Sequence, residues 1–143
     1  MPYTYSTDPA RFDFEVIHAL LAGSYWSPRI RREVVERAFA NSVACVAIDQ
    51  ATGRVVGVAR VVTDHATFAW LCDVIVAENH RARGVAKGML RTLEAQPGLG
   101  TLRRWCLATR DAHGLYRALG YRDVEPGRWM ERKGEVAWWA EAE

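Results

Sequence analysis

The chain has 143 residues, half of them hydrophobic and a quarter charged, with a formal net charge of +2. That is the size and make-up of one globular domain, taken as residues 1–143, with a core that needs no staple. The excess of 19 basic over 17 acidic residues is too small to argue, on its own, for nucleic acid or a membrane surface as partner.

Tyr3 to Ser6 alternates Tyr with hydroxyl residues and predicts a short first strand. Phe12, Val16, Ile17, Leu20 and Leu21 form one helical face, ended by Gly23. Ser27-Pro28 is a helix-start pair, Ser as N-cap and Pro at the first position. The helix predicted after it buries Ile30, Val34, Val35, Ala38 and Phe39 and exposes Arg31, Arg32 and Glu36. Between these helices lie Tyr25 and Trp26, either a plug over the helix pair or the wall of a substrate pocket.

Val43–Ile48, Arg54–Val62 and Thr67–Val76 predict three antiparallel strands joined by the turns Asp49–Gly53 and Thr63–His65. The apolar run Leu71–Val76 reads as a strand covered on both faces. Val85, Ala86, Met89, Leu90 and Leu93 then predict an amphipathic helix. After the breaker Gln96–Gly100 come a strand over Leu102–Ala108, a helix over Asp111–Leu119 and a hairpin of Tyr121–Val124 with Arg128–Glu131. The tail carries Trp138-Trp139, apolar surface that must find cover on this chain or on another; with Trp129 it motivates a twofold-symmetric homodimer. Cys45, Cys72 and Cys106 are odd in number and each lies in an apolar run, which fits buried thiols in a reducing, cytoplasmic setting and no metal site. No signal peptide or membrane-spanning run is read from the sequence.

The stretch Arg81-Ala-Arg-Gly84-Val-Ala86-Lys87 stands between a strand and a helix. The first four amides of a helix lack internal partners and carry the positive end of its dipole. Gly84 and Ala86 leave room for a close approach, and Arg81, Arg83 and Lys87 add charge, which predicts a phosphate or pyrophosphate site. Gly-Lys-Ser/Thr and Gly-x-Gly-x-x-Gly are both absent from the sequence, so it is neither a P-loop nor a Rossmann turn.

Arg81-x-x-Gly84-x-Ala86 resembles the pyrophosphate loop of the GNAT superfamily of N-acetyltransferases, and the element order is that of its fold. Asp111-Ala-His-Gly-Leu-Tyr116-Arg-Ala-Leu-Gly120-Tyr121 resembles the family's second signature, and a group of small bacterial members shares the Gly-Ser-Tyr-Trp and Thr-Arg-Asp-Ala-His-Gly-Leu-Tyr segments. The resemblance implies an α/β fold: a mixed, mostly antiparallel sheet flanked by helices and splayed between its fourth and fifth strands. It implies acetyl-CoA as donor, with the amides of Ala82, Arg83, Gly84, Val85, Ala86 and Lys87 on the pyrophosphate and the backbone of Val74, Ile75 and Val76 along the pantetheine arm. Tyr116 stands where the family places the acid that protonates the leaving thiolate, and it also reads as a core aromatic.

Asp73 matches one of two acidic residues found in some members, with Cys72 in place of the other. It either faces a wet cleft, drawing in an amine or taking its proton, or pairs with Arg60 for structure alone. His113, one turn before Tyr116, either borders the cleft or is a solvated or capping residue; His65 is a second titratable candidate. Thr109 stands where many members carry an Asn that bonds the cofactor. The implied activity is transfer of acetyl to a primary amine of a small acceptor in a ternary complex. Its alternatives are a non-catalytic acyl-CoA-binding or regulatory module and a nucleic-acid binder using Arg29, Arg31, Arg32, Arg103 and Arg104, disfavoured by the acidic count.

Overall fold

The structure, a computed structural model, describes residues 2–142. In chain order the elements are β1 (Tyr3–Ser6), α1 (Phe14–Ala22), α2 (Arg32–Ala40), β2 (Val43–Asp49), β3 (Val55–Thr63), β4 (Phe68–Val76), α3 (Val85–Glu94), β5 (Arg104–Cys106) and α4 (His113–Ala118). Short 3-10 turns lie at Pro9–Arg11 and Glu78–His80. The strands form one sheet in sequence order, antiparallel from β1 to β4, with β5 parallel to β4. The short turns Asp49–Arg54 and Thr63–Phe68 permit only antiparallel neighbours. The parallel step from β4 to β5 needs a long crossover, which α3 supplies.

The period-two alternation of β2 divides the core. Ala44, Val46 and Ile48 join Ile17 and Leu21 of α1 and Val35 and Phe39 of α2 in one cluster. Cys45 and Ala47 join Val85, Met89, Leu90 and Leu93 of α3 in the other. Each of those four α3 side chains contributes about 1.5–3 kcal/mol by leaving water, which fixes the helix and hence the loop that opens it. Gly88 lets α3 cross β1 closely, because a Cβ there would collide with the Tyr5 ring.

Several predicted boundaries move. The second helix starts at Arg32, not at Ser27-Pro28, and Arg31 is its N-cap without a side-chain bond. Ser24 has taken the capping chemistry for a turn: its hydroxyl donates to the Leu21 carbonyl (2.7 Å) and accepts from the Ser27 amide (3.1 Å). α1 is capped by Asp13, whose carboxylate accepts from the amides of Glu15 and Val16. β5 is three residues long and α4 six, both shorter than expected.

The predicted last hairpin is absent: Tyr121–Val124 and Arg128–Glu131 form no strands. Arg117 instead forks onto the Asp123 carboxylate at 2.9 and 3.1 Å, and Trp129 lies against Trp70, 6.1 Å between ring centres. The tail finds cover on its own domain. The Arg31 amide donates to the Trp139 carbonyl and the Glu141 amide to the Arg29 carbonyl, both at 2.8 Å, around a bridge of Ile30 with Ala140. Trp129, Met130, Val136 and Trp138 remain exposed.

Candidate active site

β4 and β5 pair only at Phe68 with Arg104, Ala69 with Trp105 and Trp70 with Cys106. Beyond that point the strands part, so the expectation of a strand covered on both faces fails: Leu71 is buried, but Cys72 to Val76 are half-exposed. The edge of β4 from Leu71 to Val76 therefore has no strand opposite it on the β5 side.

A β-bulge sits on that open stretch. Arg60 pairs with Cys72 and Val58 with Ile75, leaving Asp73 and Val74 opposite Ala59 alone. Asp73 has a φ of 54°, a left-handed conformation that Asp tolerates better than most residues. Bulges re-aim side chains, and here both carboxylate oxygens find donors. Oδ2 accepts from Arg60 Nε at 2.8 Å and Oδ1 from Trp26 Nε1 at 3.0 Å. Arg60 also donates from Nη1 to Ser42 Oγ at 3.0 Å. Asp73 thus pairs with Arg60 and at the same time lines the cleft that opens where β4 and β5 part.

Between the parted strands lies a cavity of about 240 Å³, reached by Asp73 and Val74 from β4, Thr109 and Asp111 from the β5–α4 loop, Tyr116 from α4, and Tyr25 and Trp26. Trp26 and Tyr25 stand edge to face, 5.0 Å between ring centres. Trp26 bonds to β4 through Asp73, while the Tyr25 hydroxyl accepts from the Arg110 amide at 3.1 Å and its ring carries the Arg110 guanidinium at 3.8 Å. The α1–α2 connection thus bridges the two walls of the cleft, and both aromatics line the cavity. Tyr116 is buried and its hydroxyl has no side-chain or backbone partner among the described residues. Burial, with smaller contributions from Tyr25 and Asp111, pushes its phenol up to about 12. Burial likewise pushes the Cys72 thiol, another residue of this cavity, up to about 11, so it is protonated at neutral pH.

At the far end of β4 the chain passes through the Glu78–His80 turn into the Arg81–Lys87 loop. Ala82 and Gly84 have positive φ, 62° and 78°, an alternation of handedness that gathers successive amides into an anion-binding concavity. Among the described residues the amides from Ala82 to Lys87 have no acceptor in a turn, a cap or a side chain; the first bond of α3 runs from Gly88 N to Gly84 O at 3.1 Å. A Cβ on Gly84 would meet nothing within 4 Å, so the space beside the amides is open. Arg81 is turned back to the Val76 carbonyl (3.0 Å) and Arg83 to the Tyr3 hydroxyl (3.5 Å), while Lys87 is exposed.

Two expected site residues sit differently. Thr109 Oγ1 accepts from the Ala112 amide at 3.0 Å, steadying the start of α4. His113 is exposed and, together with Tyr116 and Thr109, borders the adjoining cavity of about 750 Å³; it does not line the smaller one that holds Asp73. His65 lies in the exposed β3–β4 turn and reaches neither cavity. Nothing in the spacing of the sequence singles out Asp111 or Trp70, which the fold brings into the smaller cavity. Among the described residues no group of three or more His, Cys, Asp or Glu could hold a metal, and no helix is long and apolar enough to cross a membrane.

A splayed β4–β5 pair, an amide-lined loop opening α3 and a tyrosine on α4 thus lie along one cleft. Residues 40–123, more than half of the chain, match the family model of the acetyltransferase (GNAT) domain, and the chain belongs to that family. It is 30% identical to a candidate acetyltransferase of Gibberella zeae, over 85% of this chain and 80% of the relative. It is also similar to the crystal structure of a candidate GNAT-family acetyltransferase from Xanthomonas campestris pv. campestris, at 40% identity with a TM-score of 0.86, covering 92% of this chain and 93% of the other. Glucosamine-6-phosphate N-acetyltransferase from Arabidopsis thaliana shares the fold at 14% identity, with a TM-score of 0.67 over 95% of this chain and all of the other (100%).

Proposed function

We propose that the chain transfers the acetyl group of acetyl-CoA to a primary amine of a small acceptor, by direct attack with both substrates bound. One observation carries this reading: the open edge of β4 joins a loop of unpartnered amides at one end to a cavity holding Tyr116 at the other. The amides of Ala82 to Lys87 receive the pyrophosphate at the positive end of α3. The free backbone edge at Val74, Ile75 and Val76 receives the pantetheine arm as an added strand would, and the Thr109 hydroxyl keeps its proton to donate. Tyr25 and Trp26 form the acceptor wall. Asp73 holds that wall through its bonds to Trp26 and Arg60, which makes it a positioning residue in this reading. Water in the cleft takes the amine proton. Tyr116 donates a hydrogen bond to the thiolate as the C–S bond breaks.

CoA at a hundred times its Kd stabilises the fold by about 2.7 kcal/mol, a rise in Tm of roughly 5–10 °C. Gly84→Glu places a carboxylate among the amides, strains a backbone at φ 78°, and should abolish the shift. A variant that keeps the shift removes the anchor of the reading. Thiol release over a panel of amines then separates transfer from an acyl-CoA-sensing module, which would bind CoA and release none. A cytoplasmic setting belongs to the same reading, supported by three free cysteines. A homodimer rests on the exposed Trp129, Met130, Val136 and Trp138; a monomer by light scattering at high micromolar concentration would sink it.

A further inference from the structure

Two carboxylates line the smaller cavity, and they differ in what holds them. Asp73 is neutralised by Arg60 and bonded by Trp26. Asp111 is exposed, and among the described residues its carboxylate has neither an ion pair nor a hydrogen-bond donor. No Lys or Arg lines the cavity: Arg60 is turned to Asp73 and Ser42, and Arg110 lies on the Tyr25 ring. The remaining walls include Trp26 and Trp70, whose π faces attract cations. The charge of Asp111 also contributes to the raised pKa of Tyr116, so its field reaches the cavity floor.

We propose that the acceptor is a small diamine-like molecule, its non-reacting ammonium held by Asp111 against Trp26 and Trp70 while its second amine reacts. An ammonium paired with a carboxylate keeps its proton and is no nucleophile, so the anchored nitrogen and the attacking nitrogen are different atoms. The cavity, about 240 Å³, has room for roughly eight water volumes, enough for a short chain. This inference rests on the acetyl-transfer reading, and Asp111 is its specificity-determining residue.

The test is the rate of thiol release from acetyl-CoA with three acceptors of equal chain length, diaminobutane, butylamine and aminobutanoate, beside CoA binding to the full chain. Diaminobutane should give a kcat/KM about tenfold or more above that of butylamine, whose one nitrogen cannot attack while Asp111 holds it, and aminobutanoate the lowest. Asp111→Asn should collapse the diamine advantage, with Tm and CoA affinity measured on the same sample to establish that the variant is folded. A role in structure alone would weaken diamine and monoamine alike and leave their ratio standing, which overturns the proposal. Preference for aminobutanoate, or an undiminished diamine advantage in the variant, overturns it as well. Loss of CoA binding or of thiol release in the wild type would count against acetyl transfer, a result read separately from the diamine preference.

Discussion

At Tyr116, burial keeps the phenol protonated throughout the physiological range and at the same time makes it a weak acid. A phenol at about 12 cannot fully hand its proton to a thiolate with a pKa of roughly 8–9, so its worth lies in the hydrogen bond it donates as negative charge develops on sulfur. Tyr116→Phe removes that donor and leaves the edge-to-face contact with Tyr121, 5.7 Å between ring centres, in place. Because the hydroxyl has no partner among the described residues, no buried group is orphaned and Tm should change little. Turnover should fall by about 10²-fold, and a thioester with a more acidic leaving thiol should recover part of the loss. A Phe variant that turns over at the wild-type rate moves the donor role to bound water.

The element that couples the chain's end to the site is the connection Gly23–Arg31. His18 bonds the Ile30 carbonyl from α1 at 2.8 Å; from the other side Arg31 Nε donates to the Trp138 carbonyl at 2.8 Å and pairs with Glu141 at 3.6 Å. The tail therefore clasps the connection whose other arm carries Tyr25 and Trp26. Ending the chain after Ala137 should lower Tm by a few degrees and raise the acceptor KM while CoA affinity holds, because the amide loop lies on other elements. An unchanged acceptor KM would show that Asp73 and Arg110 hold the wall unaided. None of this clasp was legible in the sequence. Leu71–Leu93 could be read because a strand, a Gly turn and an amphipathic helix are local patterns, each written within a dozen residues. The bond from Trp26 to Asp73 spans 47 positions, and the bulge that aims Asp73 comes from pairing with β3, so neither leaves a periodic trace. Ser27-Pro28 misled because a competing local turn through Ser24 takes up the Ser27 amide, and the last hairpin because Trp129 packs against the distant Trp70.

Over the whole molecule, the titratable groups of the core share one bias. Burial pushes the Cys45 thiol up to about 12 and the Tyr116 phenol up to about 12, and it raises Tyr121 and Cys106 as well. Each group is neutral when protonated, and each loses its proton in the unfolded chain near its ordinary value, roughly 8.5 for Cys and 10 for Tyr. Between that value and the raised native one the folded state holds more protons than the unfolded state, so stability falls as pH rises. The stabilisation is complete below about pH 8.5 and lost towards pH 12. A tenfold difference in proton affinity between the folded and unfolded chain is worth about 1.4 kcal/mol. Urea midpoints should therefore be flat from pH 7 to 8 and drop steeply between pH 9 and 11. Cys45→Ala, which removes the thiol at the α3 face, should lower stability at pH 7 through lost packing and yet flatten the alkaline fall. A Cys45→Ala variant whose midpoint falls as steeply as the wild type's would place the alkaline sensitivity on the tyrosines and the other two thiols.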